Sequence, residues 1–377
     1  MRRILIVAGL AESLVRFRGD LIQSLLARAI EVHVVAPCGV QPRSWETLRS
    51  WGVVLHQMSL DRTGLNPAGD MRVIAELYRL LRRTRPTYLL AYTAKPVVYG
   101  LLAARLAGIQ RTTALITGLG YAFSPESGIR RRVIRHLLES MYGFALGGAH
   151  RVVFQNPDDM RLFLDLGLAK PEQCGLVNGS GVNLEKFPDT ALPPLGSSMR
   201  FVLVARLIRD KGIYEFAEAA RSVKHMCPET EFHLVGGHDS NPAAISRAAL
   251  EQWIAEGSIT YHGQLEDVRP VLAQSHVFVL PSYYREGIPR TVLEAMAMGR
   301  PIITTDAPGC RETVVQGQNG YLVPVRDSGA LASAMLHFVE RPELIQIMGT
   351  ASREMAVRKY DVAKVNSAML AHIGVDG

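Results

Sequence analysis

The residues best placed for chemistry lie in the second half of the chain. Arg206 and Lys211 stand five positions apart, directly after an apolar run typical of a strand, and Lys211-Gly212 opens a helical pattern. Two cations beside a helix N-terminus can bind a diphosphate through their charge and through free backbone N–H groups. A solvated surface pair is the alternative for such a spacing taken alone. A second motif is therefore needed to favour a phosphate site.

That second motif is the segment 286–294, EGIPRTVLE, which follows another strand-type run at 277–280. Pro289 is typical of a first helical turn, so Glu286 should lie in the loop before the helix and Glu294 inside it. We expect Glu286 to bind a sugar hydroxyl and Glu294 a ribose diol, while the helix N-terminus between them faces phosphates. Placed after a strand and opposite Arg206 and Lys211, the two carboxylates are hard to explain as solvated surface.

The first half of the chain offers fewer candidates. Lys95 follows a strand-type run and precedes Pro96 at a helix start, where it could meet a phosphate; a solvated lysine is the alternative. Gly118 and Gly120 would let the backbone approach a ligand or turn tightly. They do not complete the GxGxxG pattern of a dinucleotide site.

Short β-branched runs alternate with amphipathic segments along nearly the whole chain. This alternation predicts βαβ units on parallel sheets, with ligands at the carboxyl ends of the strands. The predicted strands are 4–8, 31–36, 53–57, 88–92, 113–116 and 151–154, then 201–205, 231–235, 258–261, 277–280 and 301–305. The predicted helices are 21–29, 70–83, 96–107, 211–226, 266–274, 289–298 and 362–372.

The Pro, Gly and Ser-rich stretch 187–199 interrupts this rhythm and predicts a linker. We therefore expect one domain at 1–186, a second at 200–358, and a C-terminal helix within 359–377 that packs back on the first domain. The predicted fold class is α/β, with two doubly wound Rossmann-like domains facing a cleft.

The composition excludes several classes of protein. The chain has 377 residues, 48% of them hydrophobic, and no apolar stretch long enough to span a bilayer. Its net charge of +7 suits an anionic partner, but no nucleic-acid-binding signature is present. Four scattered cysteines indicate a reducing compartment and no structural zinc. No D-x-D sequence occurs, so we expect no metal and no cofactor, with cations stabilising a leaving diphosphate.

Taken together, these segments resemble a known family. ARLIRDKG, VGGHDSN, EGIPRTVLEAMAMGRPIITTD and PGCRE are similar to the donor domain of glycosyltransferase family 4, retaining enzymes of the two-domain GT-B type. RFRGDL, YTAKPVVYG, TGLGYAF and GSGVNLEKF resemble a bacterial subgroup that builds surface polysaccharides and glycoprotein glycans. That subgroup includes N-acetylgalactosaminyltransferases acting on undecaprenyl-diphosphate-linked sugars. The resemblance covers about residues 1–360.

The resemblance implies roles for individual residues. Arg206 and Lys211 match the diphosphate-binding pair, Glu286 the glutamate that contacts the donor sugar, and Glu294 the glutamate that holds the ribose. The first three would form the catalytic group. The other positions matching the family's donor site are Gly236, Leu265, Gly287, Ile288 and Thr291, the first two beside the base.

The N-terminal half departs from the wider family. Where many members carry a histidine, this chain has 117–121, TGLGY, and Ile288-Pro289 replaces the Phe-Gly of many donor loops. The bacterial subgroup shares both changes. Near the first βα turn, Arg18 ends the family-like RFR pattern and is preferred over Arg16 as a phosphate contact on the acceptor side.

A membrane-binding segment is predicted at 128–136, GIRRRVIRH, which leads into an apolar continuation through Phe144. It has the pattern of a helix with a cationic start and a broad apolar face. Such a helix could lie on an anionic bilayer, whereas a domain helix with solvated arginines is the alternative. We expect a cytoplasmic protein bound peripherally to the inner face of the cytoplasmic membrane. The candidate membrane contacts are Arg130, Arg131, Arg132 and Arg135.

The function that the resemblance implies is transfer of a sugar, expected to be an N-acetylhexosamine, from UDP to a lipid-diphosphate-linked glycan with retention of configuration. No carboxylate suggests itself for double displacement, so we favour front-face attack with the departing phosphate as base. Two other functions stay open. One is an isomerase resembling UDP-N-acetylglucosamine 2-epimerase, which shares the fold and binds UDP. The other is a nucleotide-sugar-binding module without catalysis.

Overall fold

The computed structural model describes residues 2–37, 42–61, 66–119, 129–194, 198–239 and 243–375, with only the backbone described at 42 and 129–132. The chain divides into two compact units. The first comprises Met1–Ser180 and Val362–Gly377, and the second comprises Gly181–Asp361.

The first unit is built on a seven-stranded parallel sheet with the order β3-β2-β1-β4-β5-β6-β7. Its strands are β1 Arg3–Val7, β2 Glu31–Pro37, β3 Val54–Met58, β4 Tyr88–Tyr92, β5 Arg111–Ile116, β6 Arg151–Phe154 and β7 Cys174–Leu176. Its helices are α1 Ala11–Leu26, α2 Pro42–Ser50, α3 Pro67–Thr84, α4 Ala94–Ala107, α5 Ile129–Leu146 and α6 Pro157–Asp165, with α13 Val362–Ile373 from the C-terminus.

The second unit has a six-stranded parallel sheet with the order β10-β9-β8-β11-β12-β13. Its strands are β8 Arg200–Val204, β9 Glu231–Val235, β10 Thr260–Tyr261, β11 Val277–Leu280, β12 Ile302–Thr305 and β13 Gly320–Val323. Its helices are α7 Ile213–Met226, α8 Arg247–Ala255, α9 Arg269–Ala273, α10 Arg290–Ala297, α11 Ser328–Glu340 and α12 Glu343–Met355, followed by a π-helical turn at Ala356–Tyr360.

Both faces of each sheet are covered, as the near-continuous apolar strands require. In β1, Leu5 and Val7 pack in one apolar cluster while Ile4 and Ile6 pack in another on the opposite face. Helix α13 adds its buried side chains to the second of these clusters. The predicted fold class, two doubly wound Rossmann-like domains, is confirmed.

Two strands were missed because their sequences carry weak strand signals. β7 is a three-residue edge strand, CGL. β13 begins at Gly320, which has φ +153° and directly follows a polar turn sequence. A Cβ at Gly320 would lie 1.8 Å from the carbonyl oxygen of Ile302, so close strand pairing there requires glycine.

Helix α1 begins ten residues before the predicted start, at Ala11 rather than Leu21. Gly19 lies in mid-helix, where a Cβ would come within 3.1 Å of the Trp51 ring. Arg16 and Arg18 follow the first βα turn, as expected, and both lie inside α1.

The chain enters the second unit at Gly181, before the predicted linker 187–199. The Val182 N–H donates to the Tyr360 carbonyl at 2.8 Å, and the Val182 side chain is buried in the second unit. Further along, the buried guanidinium of Arg300 donates to the carbonyls of Thr190 and Ala191 at 3.0 and 3.3 Å. Proline-rich composition indicates an irregular segment but cannot show that a distant arginine fixes it.

The two sheets carry the same chain of hydrogen-bonded side chains at their amino edges. In the first, Arg3 and His33 both bind Glu31, at 2.7 and 2.9 Å, and His33 Nδ1 lies 2.9 Å from Nε2 of His56. The two imidazole planes differ by 10° and their centroids are 5.2 Å apart. The contact between the ring nitrogens extends the hydrogen-bonded chain from Glu31 through His33 to His56.

In the second sheet the chain runs from Arg200 through Glu231 and His233 to His262. Its contacts are 3.0, 3.1 and 2.8 Å long in the same order. The register is also the same, because Arg3 lies beside Glu31 as Arg200 lies beside Glu231. We name these two sets the amino-edge chains.

Candidate active site

The loop between β8 and α7 brings Lys211 to the carboxyl edge of the second sheet. It passes through a 3₁₀ turn, Arg209–Lys211, and enters α7 at Gly212, which has φ +74°. A Cβ at Gly212 would lie 2.1 Å from the carbonyl oxygen of Pro281, so only glycine allows this approach. The β8–α7 loop is thereby packed against the β11–α10 loop, which carries Glu286.

Lys211 and Glu286 form an ion pair at this junction. The Lys211 ammonium donates to Oε1 of Glu286, and the Ser282 hydroxyl donates to the same oxygen at 3.1 Å. Each side chain of the pair is 12% exposed. A cation expected at a phosphate and a carboxylate expected at a sugar are therefore in direct contact.

The loop after β12 supports the backbone around Glu286. Gly309 has φ +82°, and a Cβ there would lie 2.4 Å from the Gly287 oxygen and 2.6 Å from the Glu286 oxygen. Behind this contact Cys310 is fully buried, and burial raises the pKa of its thiol to about 12. Cys310 is therefore a neutral packing residue at physiological pH.

Helix α10 positions the second glutamate. Pro289 is the N-cap, the helix starts at Arg290, and Glu294 lies in its second turn. Arg290 Nε donates to Glu294 Oε1 at 2.9 Å, and both side chains are largely buried. Ile288 packs into the apolar cluster beneath, while Thr291 is half-buried. Arg290 was not singled out from the sequence, although its i,i+4 spacing to Glu294 could have indicated the pair.

Arg206 lies on the same edge and is about half exposed. Its Nη1 is 3.1 Å from Oδ2 of Asp239, which lies in the segment after β9. The Tyr284 ring centroid is 6.0 Å from the Arg206 guanidinium carbon and 5.4 Å from Lys211 Nζ. Asp239 and Tyr284 were also missed, because neither stands at a spacing that indicates a partner so distant in sequence.

The remaining donor-side candidates follow β9 and β10. A Cβ at Gly236 would lie 1.8 Å from the Ala205 oxygen, so the backbones of two strand ends pass in contact there. The Gly236 N–H donates to the Gly263 carbonyl at 2.9 Å, and its own carbonyl accepts from the Tyr261 hydroxyl at 2.8 Å. Leu265 packs partly buried against the apolar cluster nearby.

Each unit matches a known domain family. Residues 14–179 match the glycosyl transferase 4-like domain, and residues 198–341 match the glycosyl transferases group 1. The chain belongs to the two-domain glycosyltransferases.

Two curated relatives are similar to this glycosyltransferase over most of their length. One is the N,N'-diacetylbacillosaminyl-diphospho-undecaprenol alpha-1,3-N-acetylgalactosaminyltransferase of Campylobacter jejuni, 29% identical, with 88% of each chain covered. The other is the UDP-Gal:alpha-D-GlcNAc-diphosphoundecaprenol alpha-1,3-galactosyltransferase of Escherichia coli. It is 26% identical, with 78% of this chain and 77% of the relative covered.

Solved structures support the fold. A glycosyltransferase from Rickettsia africae aligns with a TM-score of 0.79 at 17% identity, covering 99% of this chain and 98% of the other. The Anabaena protein HepE, solved with UDP and glucose, aligns with a TM-score of 0.77 at 17% identity over 99% and 100% of the two chains.

In the first unit of the glycosyltransferase, the candidate cations Lys95 and Arg18 contact other side chains and backbone groups of the same unit. Lys95 Nζ is 3.3 Å from Asp70 Oδ1 and donates to the Asp61 carbonyl at 2.9 Å. Arg18 is 5% exposed, and its guanidinium lies 5.4 Å from the centroid of the Tyr92 ring. Burial raises the pKa of the Tyr92 hydroxyl to about 12.

The other first-unit candidates are less constrained. Arg16 is exposed and pairs with Glu12 at 3.4 Å. Gly118 has φ +101°, as expected where the backbone needs glycine, and Gly120 lies outside the described residues.

Helix α5 divides its apolar residues between two surfaces. Tyr142, Ala145 and Leu146 are buried in the first unit's core. Val133, Leu137 and Phe144 are 62%, 41% and 66% exposed and share one face, which we name the α5 stripe. Arg135 pairs with Glu139 at 2.7 Å, whereas the side chains of Arg130, Arg131 and Arg132 lie outside the described residues.

Two further properties concern only those parts of the chain that the structure describes. None of the helices there is both long and apolar enough to cross a membrane. No group of three or more His, Cys, Asp or Glu residues there is placed to hold a metal ion. Independence from metal stays a prediction.

Proposed function

We propose that this glycosyltransferase moves an N-acetylhexosamine from UDP to a lipid-diphosphate-linked glycan with retention of configuration, during bacterial polysaccharide or glycoprotein glycan synthesis. The activities of the Campylobacter and Escherichia coli relatives support an acceptor on diphospho-undecaprenol. The likeness to HepE with UDP and glucose is in keeping with a UDP-sugar donor. We assign donor binding to the second unit and acceptor binding to the first.

The observation that carries the proposal is the contact between Lys211 and Glu286. A lysine suits a phosphate, and a glutamate suits a sugar hydroxyl. Because the two side chains touch, a ligand that meets both must place its phosphate beside its sugar. The bond between those two groups in a nucleotide sugar is the one that a glycosyltransferase breaks.

In the proposed reaction the acceptor hydroxyl attacks the anomeric carbon from the face that the diphosphate leaves. The C–O bond to the acceptor forms, the C–O bond to the β-phosphate breaks, and the phosphate oxygen takes the hydroxyl proton. Arg206 and Lys211 would neutralise the charge that develops on the departing UDP, as fixed charges do most effectively in a site with little water. Glu286 would hold the sugar through its hydroxyls during the transfer.

The direct test is a panel of UDP-sugars assayed for UDP release with and without an undecaprenyl-diphosphate-linked acceptor. We expect UDP release only when both substrates are present. NMR of the product should show that the anomeric configuration of the donor is retained. Activity should survive EDTA. Conversion of the UDP-sugar without an acceptor would favour the epimerase. Binding of the donor without turnover in any combination would favour the binding module.

Membrane association is the second part of the proposal. The α5 stripe exposes three apolar side chains, and the first turn of the same helix carries Arg130, Arg131 and Arg132. Basic residues beside an exposed apolar face fit the surface of an anionic bilayer. We therefore propose that α5 holds the enzyme on the cytoplasmic face of the membrane, where a lipid-linked acceptor is presented.

A further inference from the structure

Two adjacent tyrosines in the β11–α10 loop are fixed to the loop before α7. The backbone N–H groups of Tyr283 and Tyr284 both donate to the Asp210 carbonyl, each at 2.9 Å. The Ser282 hydroxyl oxygen lies 3.2 Å from the same carbonyl oxygen. Two backbone donors on one carbonyl hold the loop, so the backbone that carries the two rings is fixed.

The two rings contact different cations. The ring centroid of Tyr283 lies 4.5 Å from the guanidinium carbon of Arg326, and burial raises the pKa of the Tyr283 hydroxyl. The Tyr284 ring is within cation–π range of Lys211 at 5.4 Å and, at the outer limit of that range, of Arg206 at 6.0 Å. One aromatic ring is thus shared by both members of the proposed diphosphate pair.

This arrangement addresses a problem that two neighbouring cations create. Arg206 and Lys211 carry like charges and repel each other, and the long side chain of Arg206 is half exposed. Asp239 attracts Arg206 and Glu286 attracts Lys211, so each cation has a different carboxylate partner. The electron-rich ring of Tyr284 attracts both cations and so opposes their separation, which favours a shared anion.

We infer that Tyr284 is a positioning residue that holds Arg206 and Lys211 together for the donor diphosphate. This inference rests on the proposed function, because it assumes that the pair binds UDP. Tyr284 acts through its ring and not through its hydroxyl. The contribution should therefore survive in Tyr284→Phe and be lost in Tyr284→Leu.

The experiment compares inhibition constants for UDP and UMP, which differ by the second phosphate. For Tyr284→Leu we expect UDP to bind about 5- to 30-fold more weakly, while UMP changes by less than about twofold. Tyr284→Phe should keep the ratio of the UDP and UMP inhibition constants that the native enzyme shows. Tyr283→Leu, which removes the neighbouring ring, should also keep that ratio. A purely structural effect would weaken both nucleotides together.

Arg206→Ala in the same series separates this inference from the proposed function. If Arg206→Ala raises the ratio of the UDP inhibition constant to the UMP inhibition constant and Tyr284→Leu does not, the positioning role is wrong while the donor site stands. If Arg206→Ala leaves the ratio unchanged, the proposed donor site itself is wrong. Tyr284→Met serves as a second variant if the leucine substitution lowers the thermal unfolding midpoint. An equal loss in Tyr284→Phe and Tyr284→Leu would overturn the role of the ring.

Discussion

Both units carry an arginine, a glutamate and two histidines in an amino-edge chain, in the same register and with similar hydrogen-bond lengths. At the carboxyl edges they differ. Lys95 of the first unit is paired with Asp70 of α3, a carboxylate with no proposed role in the reaction. Lys211 of the second unit is paired with Glu286, which we propose binds substrate.

The difference teaches that an ion pair alone does not mark a functional cation. Lys95 and Lys211 are equally sheltered, with side chains 15% and 12% exposed. What distinguishes Lys211 is its surroundings. Arg206 approaches the same aromatic ring, and a serine hydroxyl shares its carboxylate partner. The proposed ligand-binding residues converge at one edge of the second sheet, whereas the first-unit lysine contacts a carboxylate of its own unit.

The largest expected effect tests this contrast between the two lysines. Lys211→Ala and Arg206→Ala should each lower kcat at least about a hundredfold, as loss of one charge stabiliser does. Lys95→Ala removes the partner of Asp70, so its main effect should be a lower thermal unfolding midpoint, with kcat reduced less than about tenfold. Steady-state kinetics and thermal melts on the three variants provide the comparison. If Lys95→Ala loses as much turnover as Lys211→Ala, the distinction between the units is wrong.

Membrane binding should depend on the first unit alone. Replacing Arg130, Arg131 and Arg132 by glutamate should lower partitioning onto anionic liposomes more than a hundredfold, because each basic residue contributes about 1 kcal/mol. Salt at 1 M should also release the native enzyme, since the Debye length falls to about 3 Å. Liposome sedimentation measures both effects.

A matched control comes from exposed apolar side chains of the second unit. Met226, Ile254 and Ile347 are exposed to an extent similar to that of the α5 stripe. Serine substitutions of Val133, Leu137 and Phe144 should weaken liposome binding, whereas serine substitutions of those second-unit residues should not. Equal loss from both sets would show that general hydrophobicity, and not α5, is responsible.

Within the second unit, the two glutamates should separate nucleotide binding from sugar binding. Glu294→Ala should weaken UDP binding by about 1.5–3 kcal/mol through loss of a charge-assisted hydrogen bond to ribose. Glu286→Ala should leave UDP affinity nearly unchanged and lower turnover, because its partner is present only with an intact donor. Calorimetry with UDP and turnover with the UDP-sugar measure the two effects. Equal loss of UDP affinity in both variants would contradict the assignment.

Sequence patterns predicted the site where its geometry is local. The strand, loop and helix that place Glu286 and Glu294 lie within one segment of about twenty residues, so turn and helix preferences position both. The contact between Lys211 and Glu286 joins residues far apart in sequence and depends on the close approach at Gly212. Nothing local indicates it.

The same reason explains why the first-unit contacts were not predicted. Arg18 is preferred as a phosphate contact because the family-like RFR pattern ends on it. In the structure its guanidinium lies over the ring of Tyr92, which is brought there by β4. Lys95 occupies the end of a strand as expected, but its carboxylate partner comes from α3. Long-range pairing decides whether a cation serves a ligand or the fold.

The smallest expected effect is on the pH dependence of stability, and it tests the amino-edge chains that the two units share. Burial, together with the smaller effects of the nearby His33 and Arg83, lowers the pKa of His56 to about 4. The unfolded chain therefore binds more protons than the folded chain between pH 6.5 and 4, so stability falls as pH falls through that range. Since His56 is partly exposed, we discount the effect to about 1 kcal/mol, or roughly 2–4 °C in the unfolding midpoint.

The test is the drop in thermal unfolding midpoint between pH 7.5 and pH 5.0, with and without His56→Gln. A glutamine keeps a hydrogen-bonding side chain but cannot titrate, so the variant should lose less stability over this interval than the native enzyme. His233→Gln should act in the same direction in the second unit, because burial also lowers the pKa of His233. This interval lies above the range in which Glu31 and Glu231 titrate, since the pKa of each is lowered from its ordinary value. If the variant of one unit flattens the pH dependence and the other does not, the two amino-edge chains are alike in geometry but differ in proton binding.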